Sequence, residues 1–170
     1  MTNATEFDPI VHARRVIDAV NQRDIDFLMS VLAPGYIAEW PDATLDRDPS
    51  IGREIEMMTG LPDLRFDIGT ATMLTDGRVL VEATVVGTHT GELVLPFGLV
   101  LPPTGRTLSM PFDFIMTFSG GQLVYERLRF DHHVLIHQLG DGPLRSSPAV
   151  PPMVVDNGES EGRSRSAVDR

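Results

Sequence analysis

Two long alternating segments, joined by a glycine turn, constrain the fold of this chain more than any other feature. In "TLSMPFDFIMTF" every second side chain is apolar, so one face of the strand carries Met110, Phe112, Phe114, Met116 and Phe118. After "SGGQ", the segment "LVYERLRF" continues the pattern with Val124, Glu126, Leu128 and Phe130. The two segments are predicted to pair as a β-hairpin whose apolar face is covered by other parts of the chain.

Glu126 is the one ionisable side chain among the nine inward positions of this hairpin. An unpaired buried carboxylate is costly, so such a group needs a partner, contact with water or a raised pKa. A carboxyl group with a raised pKa in an apolar pocket is suited to proton transfer near neutral pH. The alternative is structural: Glu126 lies at the sheet margin or pairs with an arginine from a helix.

Three helices are predicted ahead of the long strands. The first, at 7–20, begins with Asp8 as its cap and Pro9 in its first turn. The second runs from 23 to Gly35, and "YIAEW" follows as a short strand. The third, at 48–60, is predicted to face inward through three apolar residues: Ile51, Ile55 and Met58.

The rest of the chain up to Gly140 alternates with a period of two and then ends in a helix. Strands are predicted in "LRFDIGTATML" and "VLVEATVVGTHTG", joined by an Asp-Gly turn, and a short helix in "DHHVLIHQLG". Helices followed by antiparallel strands indicate an α+β fold, with a curved sheet wrapped around the helices. We expect one domain at 1–140 and a disordered tail at 141–170, where proline, serine, glycine and charge dominate.

Charge and composition exclude several classes of partner. The formal charge of −10 disfavours nucleic acid and anionic membranes. The chain has no cysteine, so disulfides and thiolate chemistry are excluded. No apolar segment approaches the roughly 20 residues needed to cross a bilayer, and the N-terminus lacks the apolar stretch of a signal peptide. We therefore expect a soluble, cytoplasmic protein with neither a nucleic-acid nor a membrane partner.

Four segments, in order, resemble the SnoaL-like polyketide cyclases, which have the cone-shaped fold of the nuclear-transport-factor-2-like superfamily. They are "AVNQRDIDFLMSVLAPGY", "GTHTGEL", "PPTGRTLSM" and "FDHHVLIHQLG". The resemblance implies a strongly bent antiparallel sheet that encloses an apolar pocket with the helices. It also implies ring closure of a hydrophobic, polyketide-like substrate by an acidic side chain, with no metal or organic cofactor. A homodimer is expected separately, because the open sheet face with Tyr125, Arg127 and Arg129 suits a dimer contact.

The chain departs from this family where the family's chemistry lies. Ring-closing members use a histidine and an aspartate on the last two strands. Counting back from Gln138-Leu139-Gly140, these positions fall on Phe114 and Leu128, which cannot transfer protons. Glu126, two residues before Leu128 on the same strand face, is a candidate replacement. The apolar segment "ELVLPFGLVLPP" is also longer than the family's usual connection. Two roles are open for it: a lid over the pocket, or an extension of a subunit contact.

Two further residues are candidates for catalysis. His89, in "GTHTG", matches a family histidine and either holds the turn or faces the pocket mouth. Asp131 matches a recurring family aspartate, but it directly precedes the last helix, where a capping role worth about 1 kcal/mol competes with a catalytic one.

Side chains predicted to contact the substrate come from the hairpin and from the strand after the second helix. They are Tyr36, Trp40, Phe112, Phe114, Met116, Leu128, Phe130 and His133. Tyr36 and Trp40 share one strand face, where an aromatic ring can pack as core or stack on a flat substrate. The histidines of "DHHVLIH" lack the fuller ligand set of a metal site, so no metal is expected.

Two classes of function remain open from the sequence. The chain is either a cyclase or a non-catalytic carrier or accessory protein for lipophilic ligands, since fold does not determine chemistry. Within the first class, Glu126 acts as general acid or base for ring closure, or an apolar pocket confines a flexible chain for a pericyclic cyclisation. Epoxide hydrolases and isomerases of the wider superfamily provide a third possibility.

Overall fold

The computed structural model describes residues 7–140 and 145–146. The first half of the chain contains the N-terminal helices and four strands: α1 (Pro9–Gln22), α2 (Ile25–Val31), β1 (Leu32–Trp40), β2 (Ala43–Asp46), α3 (Arg47–Gly60), β3 (Arg65–Met73) and β4 (Val79–Thr88). The second half contains β5 (Leu93–Val94), a 3₁₀ turn (Pro96–Gly98), β6 (Leu99–Leu101), β7 (Thr107–Ser119), β8 (Gln122–Arg129), α4 (His132–Leu139) and β9 (Arg145–Ser146).

A curved, open sheet forms the body of the fold, with strand order β2-β1-β8-β7-β4-β3. Every neighbouring pair is antiparallel except β1 and β8, which run parallel. Helix α1 packs on β3 and β4, and α3 packs on β1. The α+β fold predicted from the sequence is therefore confirmed.

The β7–β8 hairpin has the predicted apolar inner face. Phe114 lies directly opposite Leu128, and Met116 opposite Glu126. A bulge between Thr117 and Phe118 shifts the register near the Gly-Gly turn. One extra residue reverses which side chains point inward. Leu123 is therefore fully buried in place of the predicted Val124, which is only half-buried.

Helix α1 begins as predicted, since Asp8 Oδ1 accepts hydrogen bonds from the amides of Ile10 and Val11. Helix α2 is shorter than predicted because the chain becomes extended at Leu32. Gly35 therefore lies inside β1, within an irregular stretch of the β1–β8 ladder. Proline and glycine weaken regular pairing, and Pro34-Gly35 occupies this stretch.

The apolar segment after β4 folds against the end of α3. Strands β5, β6 and β9 form a second, small sheet, and β5 contacts α3. The approach is very close at two glycines: a Cβ at Gly60 would lie 2.8 Å from the Leu93 side chain, and one at Gly91 only 2.0 Å from the Thr59 carbonyl oxygen. Side chains at these positions would push the segment away from α3.

Of the predicted tail at 141–170, only Arg145–Ser146 falls within the described residues, where it pairs with β6. The prediction of disorder otherwise lies outside the described residues. Within the described part of the chain, the helices are too short and too polar to cross a membrane.

Candidate active site

Glu126 lies inside the fold, as its strand position predicts. Its side chain is 4% exposed, and Tyr36 on the neighbouring strand β1 is 2% exposed. The Tyr36 hydroxyl donates a hydrogen bond of 2.7 Å to Glu126 Oε2. The parallel pairing of β1 with β8 brings these two side chains, 90 residues apart in sequence, onto one face of the sheet. A tyrosine, rather than an arginine, is the partner of this carboxyl group.

A second interior carboxyl group, on the half-buried side chain of Glu54 in α3, was missed by the sequence analysis. Its Oε2 atom is out of contact with solvent and has no hydrogen-bond partner among the described residues. The signal was present in the helical periodicity, because Glu54 follows Ile51 by three residues and precedes Met58 by four. The analysis took Ile55 as the inward residue, but Ile55 is 46% exposed. The inward face of α3 is therefore rotated by about one residue from the prediction.

A narrow cavity lies between α3 and the concave face of the sheet. Its volume is about 10 Å³, room for about one water molecule. Its wall is apolar apart from a single carboxyl group and includes Trp40, Glu54, Met57, Phe112, Phe114 and Leu128. Glu126 and Tyr36 are buried without forming part of this wall. Among the described residues, the ionisable group on the cavity wall is thus Glu54, not Glu126.

Burial sets the protonation of the two carboxyl groups. Burial raises the pKa of Glu126 to about 7, although the hydrogen bond from Tyr36 partly opposes the shift. Burial, and secondarily the charge of Glu126, raises the pKa of Glu54 to about 8. Burial and the charge of Glu126 also raise the pKa of Tyr36, which therefore remains a hydrogen-bond donor. At neutral pH the pair holds at least one proton, with Glu126 the more readily ionised member.

Aromatic side chains from the predicted set form the wall around these carboxyl groups. Phe112 stacks on Phe130 with ring centroids 4.6 Å apart and an interplanar angle of 11°. Phe114 packs edge-on against Phe66 at 5.1 Å. Met116 is fully buried opposite Glu126 and does not reach the cavity. Phe114 and Leu128, which the sequence analysis predicted to replace the family's histidine and aspartate, both contribute to the cavity wall.

A polar gate separates this cavity from the surface. The Trp40 ring contributes to the cavity and to a second one, of about 20 Å³, that also includes Met57 and His132. The Arg53 guanidinium lies 4.9 Å from the centre of that ring and pairs with Asp42 at 2.7 Å. Arg53 also borders an open groove of about 450 Å³, whose far side is formed by Val94, Leu95 and Pro96. The apolar segment after β4 thus borders the outer groove, on the other side of Trp40 and Arg53 from the Glu54 cavity.

The structure places His89 at a turn rather than on the cavity wall. His89 is fully buried, its Nδ1 lies 3.0 Å from Thr104 Oγ1, and its backbone pairs with Arg106 and Gly105. Burial lowers the pKa of the imidazole, so the ring is neutral at neutral pH. These contacts hold the "PPTGR" turn against the end of β4.

Asp131 caps α4, as its position before the helix suggests, and accepts a hydrogen bond of 2.8 Å from the His133 amide. Asp131 and His133 are both exposed and do not line the cavities described above. His132 is half-buried, lines the second cavity of about 20 Å³, and has its pKa lowered by burial. Among the residues that the structure describes, no three histidine or acidic side chains are arranged as metal ligands.

Comparison with known proteins assigns the family. The sequence model of the SnoaL-like domain matches residues 13–126. The chain therefore belongs to the SnoaL-like family of the nuclear-transport-factor-2-like superfamily, and the resemblance noted in the sequence is confirmed. The search of curated proteins found no match.

Solved structures share the fold at low sequence identity. The chain is similar to IdmH from Streptomyces antibioticus, a candidate polyketide cyclase (22% identity, 79% of this chain and 99% of that one, TM-score 0.66). It is also similar to a candidate SnoaL-like polyketide cyclase from Jannaschia sp. CCS1 (19% identity, 84% and 100%, TM-score 0.67). A third similar structure is AclR from Streptomyces galilaeus, a candidate hydroxylase (22% identity, 77% and 82%, TM-score 0.64).

Proposed function

We propose that this chain is an enzyme that closes a ring in a hydrophobic, polyketide-type intermediate by acid–base catalysis from buried carboxyl groups. One observation carries the proposal: the interior holds two carboxyl groups and a tyrosine donor in otherwise apolar surroundings, beside a cavity. Elevated pKa values of about 7 and about 8 keep such groups able both to give and to accept a proton near neutral pH.

The relatives support this substrate class. SnoaL-like structures similar to this chain are named as candidate polyketide cyclases, and one as a candidate hydroxylase. A polyketide chain is flexible and largely apolar, and the phenylalanine-rich wall of the cavity offers it a complementary surface. The family resemblance implies that the reaction needs neither a metal nor an organic cofactor.

Substrate binding requires the cavity to widen. A space of about 10 Å³ is too small for any polyketide, so the side chains around it must move. Met57 and Met58 line the wall, and methionine is the most adaptable of the apolar side chains. Together with Trp40 and Arg53 at the gate, they are the groups whose displacement would join the cavity to the outer groove.

A second mechanism is favoured by a specific observation. Phe114 and Leu128 occupy the family's proton-transfer positions and face the cavity. A wall that is apolar at these points suits confinement of a reactive chain, from which several kcal/mol of rate acceleration can arise. In this version the carboxyl groups only maintain the shape of the interior.

The test compares the wild type with the double variant Glu54→Gln/Glu126→Gln. The substrate is the intermediate that accumulates when the gene is deleted, isolated and identified by mass spectrometry. Acid–base catalysis predicts that the double variant loses about 100-fold to 10,000-fold in ring closure. Glu82→Gln, the same change at an exposed glutamate of β4, serves as the control and should retain full activity.

Two results would change the proposal. Ring closure at the wild-type rate by the folded double variant would remove acid–base catalysis and leave confinement. Tight binding of the intermediate without conversion by the wild type would indicate a carrier.

We also propose a homodimer that forms through the outer face of the sheet. The outer sheet face that would suit such a contact carries Tyr125, Arg127 and Arg129, and the two arginines pair with Glu39 and Asp113 of the same chain. Sedimentation equilibrium would distinguish a dimer from a monomer.

A further inference from the structure

The two interior carboxyl groups differ in what they can touch. Glu54 is on the cavity wall, and its Oε2 atom is buried with no hydrogen-bond partner among the described residues. Glu126 is off the wall, and its Oε2 atom is already bonded to Tyr36. A buried polar atom without a partner is costly and rare, and such atoms concentrate where a ligand or a reacting group completes the bonding.

We infer that Glu54 is the catalytic residue that exchanges a proton with the substrate, and that Glu126 is a positioning residue that acts through it. This inference rests on the proposed function and assigns different roles to its two carboxyl groups. The hairpin pattern in the sequence predicted instead that Glu126 exchanges the proton with the substrate.

The surroundings of Glu54 determine its resting state. Titratable and charged groups on the elements around it are Glu126 on β8, Tyr36 on β1 and, at the gate, Arg53, Asp42 and His132. Apart from burial, Glu126 is the group that raises the pKa of Glu54, because its negative charge opposes ionisation of the Glu54 carboxyl. Tyr36 stabilises that charge on Glu126 through its hydrogen bond. The pair therefore rests with Glu126 ionised and Glu54 protonated.

This state defines the reaction that Glu54 can assist. The Glu54 carboxyl gives its proton to a ketone carbonyl or epoxide oxygen of the substrate, as the substrate's own nucleophile attacks the electrophilic carbon bonded to that oxygen. The new ring bond forms while the carbonyl π bond or the epoxide C–O bond breaks. The proton of the nucleophile, from a hydroxyl group or an enol, then passes to the ionised Glu54. Every proton is accounted for within the substrate and one carboxyl group.

The same arrangement restricts the substrate class. Once Glu54 has given up its proton, two negative charges lie close together in an apolar interior, and this repulsion favours the return of a proton. An anionic group on the substrate near Glu54 would add a third charge. The reacting part of the substrate is therefore neutral and carries both a nucleophile and a carbonyl or epoxide group.

The test uses 5-nitrobenzisoxazole, a flat neutral probe from which a carboxylate base removes a proton as the N–O bond breaks and a coloured phenolate forms. We expect the wild type to cleave it with a rate that rises through a midpoint near pH 8, the pKa of about 8 expected for Glu54. Glu54→Gln should lower the rate about 100-fold, and Glu54→Asp, which keeps a carboxyl group, should restore part of it. Glu82→Gln should match the wild type.

Glu126→Gln is the decisive variant. It should move the midpoint of the pH profile to lower pH, because the repelling charge is gone; a purely structural role would leave the midpoint unchanged. Circular dichroism checks the fold of each variant. The inference is overturned if the wild type cleaves the probe no faster than Glu54→Gln, or if Glu126→Gln abolishes the rate while Glu54→Gln does not.

The outcome is separable from that of the proposed function. Cleavage of the probe with the predicted variants, but no ring closure of the accumulated intermediate, would leave the Glu54 assignment standing and remove the cyclase. Ring closure that survives Glu54→Gln and is lost in Glu126→Gln would remove the Glu54 assignment and leave the cyclase function standing.

Discussion

Strands β1 and β8 carry a tyrosine–glutamate hydrogen bond on each of their two faces. Inside, Tyr36 donates to Glu126 in an apolar interior with no cation bonded to either group. Outside, Tyr125 donates to Glu39, which also pairs with Arg127 at 2.9 Å. Hydrogen bonds from Tyr125 and Arg127 lower the pKa of Glu39, whereas burial raises the pKa of Glu126 to about 7. The same two residue types thus form an ion-pair cluster with a lowered carboxyl pKa on one face and a buried pair with a raised carboxyl pKa on the other.

The comparison shows that the surroundings of a carboxyl group decide its chemistry. The outer pair has water and a guanidinium group to stabilise the carboxylate. The inner pair is buried and, among the described residues, forms no ion pair, and a second carboxyl group, Glu54, lies close enough for its pKa to be raised by the charge of Glu126. Elevated pKa values in an enclosed space are what acid–base catalysis at neutral pH requires.

The largest expected effect is the dependence of stability on pH. The folded-state pKa values of Glu54 and Glu126 lie above the ordinary 4.5, so their contribution to stability is fully present below about pH 4.5 and is lost as pH rises to about 8. Each carboxyl group should remove about 1.4 kcal/mol from the free energy of unfolding per pH unit within its part of that window. Urea denaturation of the wild type and of Glu54→Gln/Glu126→Gln across pH 4–9 measures this.

The difference between the two pH curves isolates the inner carboxyl groups. His89 and His132, whose pKa values burial lowers, titrate alike in both proteins and cancel. Parallel curves for the wild type and the double variant would show that neither glutamate is protonated abnormally. The outer pair has the opposite sign, because the lowered pKa of Glu39 makes its contribution disappear only as pH falls below about 4.5.

The next effect is the removal of each glutamate at pH 5. Glu126→Ala leaves the Tyr36 hydroxyl buried without its acceptor, which should cost about 1–3 kcal/mol of unfolding free energy. Glu39→Ala should cost much less, because water replaces the lost acceptor for Tyr125 and Arg127. Equal losses for the two variants, measured by urea denaturation, would contradict the contrast between the faces.

A smaller effect distinguishes the two tyrosines. Tyr36→Phe removes the hydrogen bond that opposes the burial shift, so it should raise the pKa of Glu126 further. Tyr125→Phe should raise the pKa of Glu39 toward its ordinary value and leave Glu126 unchanged. Side-chain carbon NMR of glutamate-labelled protein resolves the two titrations, and an unchanged Glu126 in Tyr36→Phe would disprove the role of that bond.

The smallest effect concerns the outer ion pair. Arg127→Ala removes the cation beside Glu39 at an exposed site, where ion pairs contribute little and salt screens them. We expect the midpoint of urea denaturation to be nearly unchanged, and any difference to vanish at 1 M salt. A large, salt-independent loss would mean that the outer face is also shielded from water, for example by a partner.

Features that follow from a regular repeat of apolar residues could be predicted from the sequence. The inner positions of β7 and β8 followed from strict alternation, which placed Glu126 inside and Phe114 opposite Leu128. Regularity failed at the bulge near the turn, where Leu123 replaced Val124. No local pattern announces a bulge of this kind.

The remaining features of the site depend on pairings distant in sequence. Helical spacing allowed either Glu54 or Ile55 to face inward, and only the packing of α3 on β1 selects Glu54. The partner of Glu126 could not be inferred, because Tyr36 reaches it through a parallel β1–β8 pairing within a sheet predicted to be antiparallel. The gate formed by Arg53, Trp40 and Asp42 likewise requires α3 and the β1–β2 turn to be placed in space.

The central claim is that Glu54 and Glu126 lie close together in the interior and have raised pKa values. Carbon NMR titration of the labelled side-chain carboxyl groups of the wild-type protein tests it most directly. We predict that two glutamates titrate with midpoints near pH 7 and pH 8, well separated from the rest, and that Glu54→Gln and Glu126→Gln each remove one of them. A titration in which every glutamate carboxyl ionises near the ordinary value of 4.5 would contradict the claim.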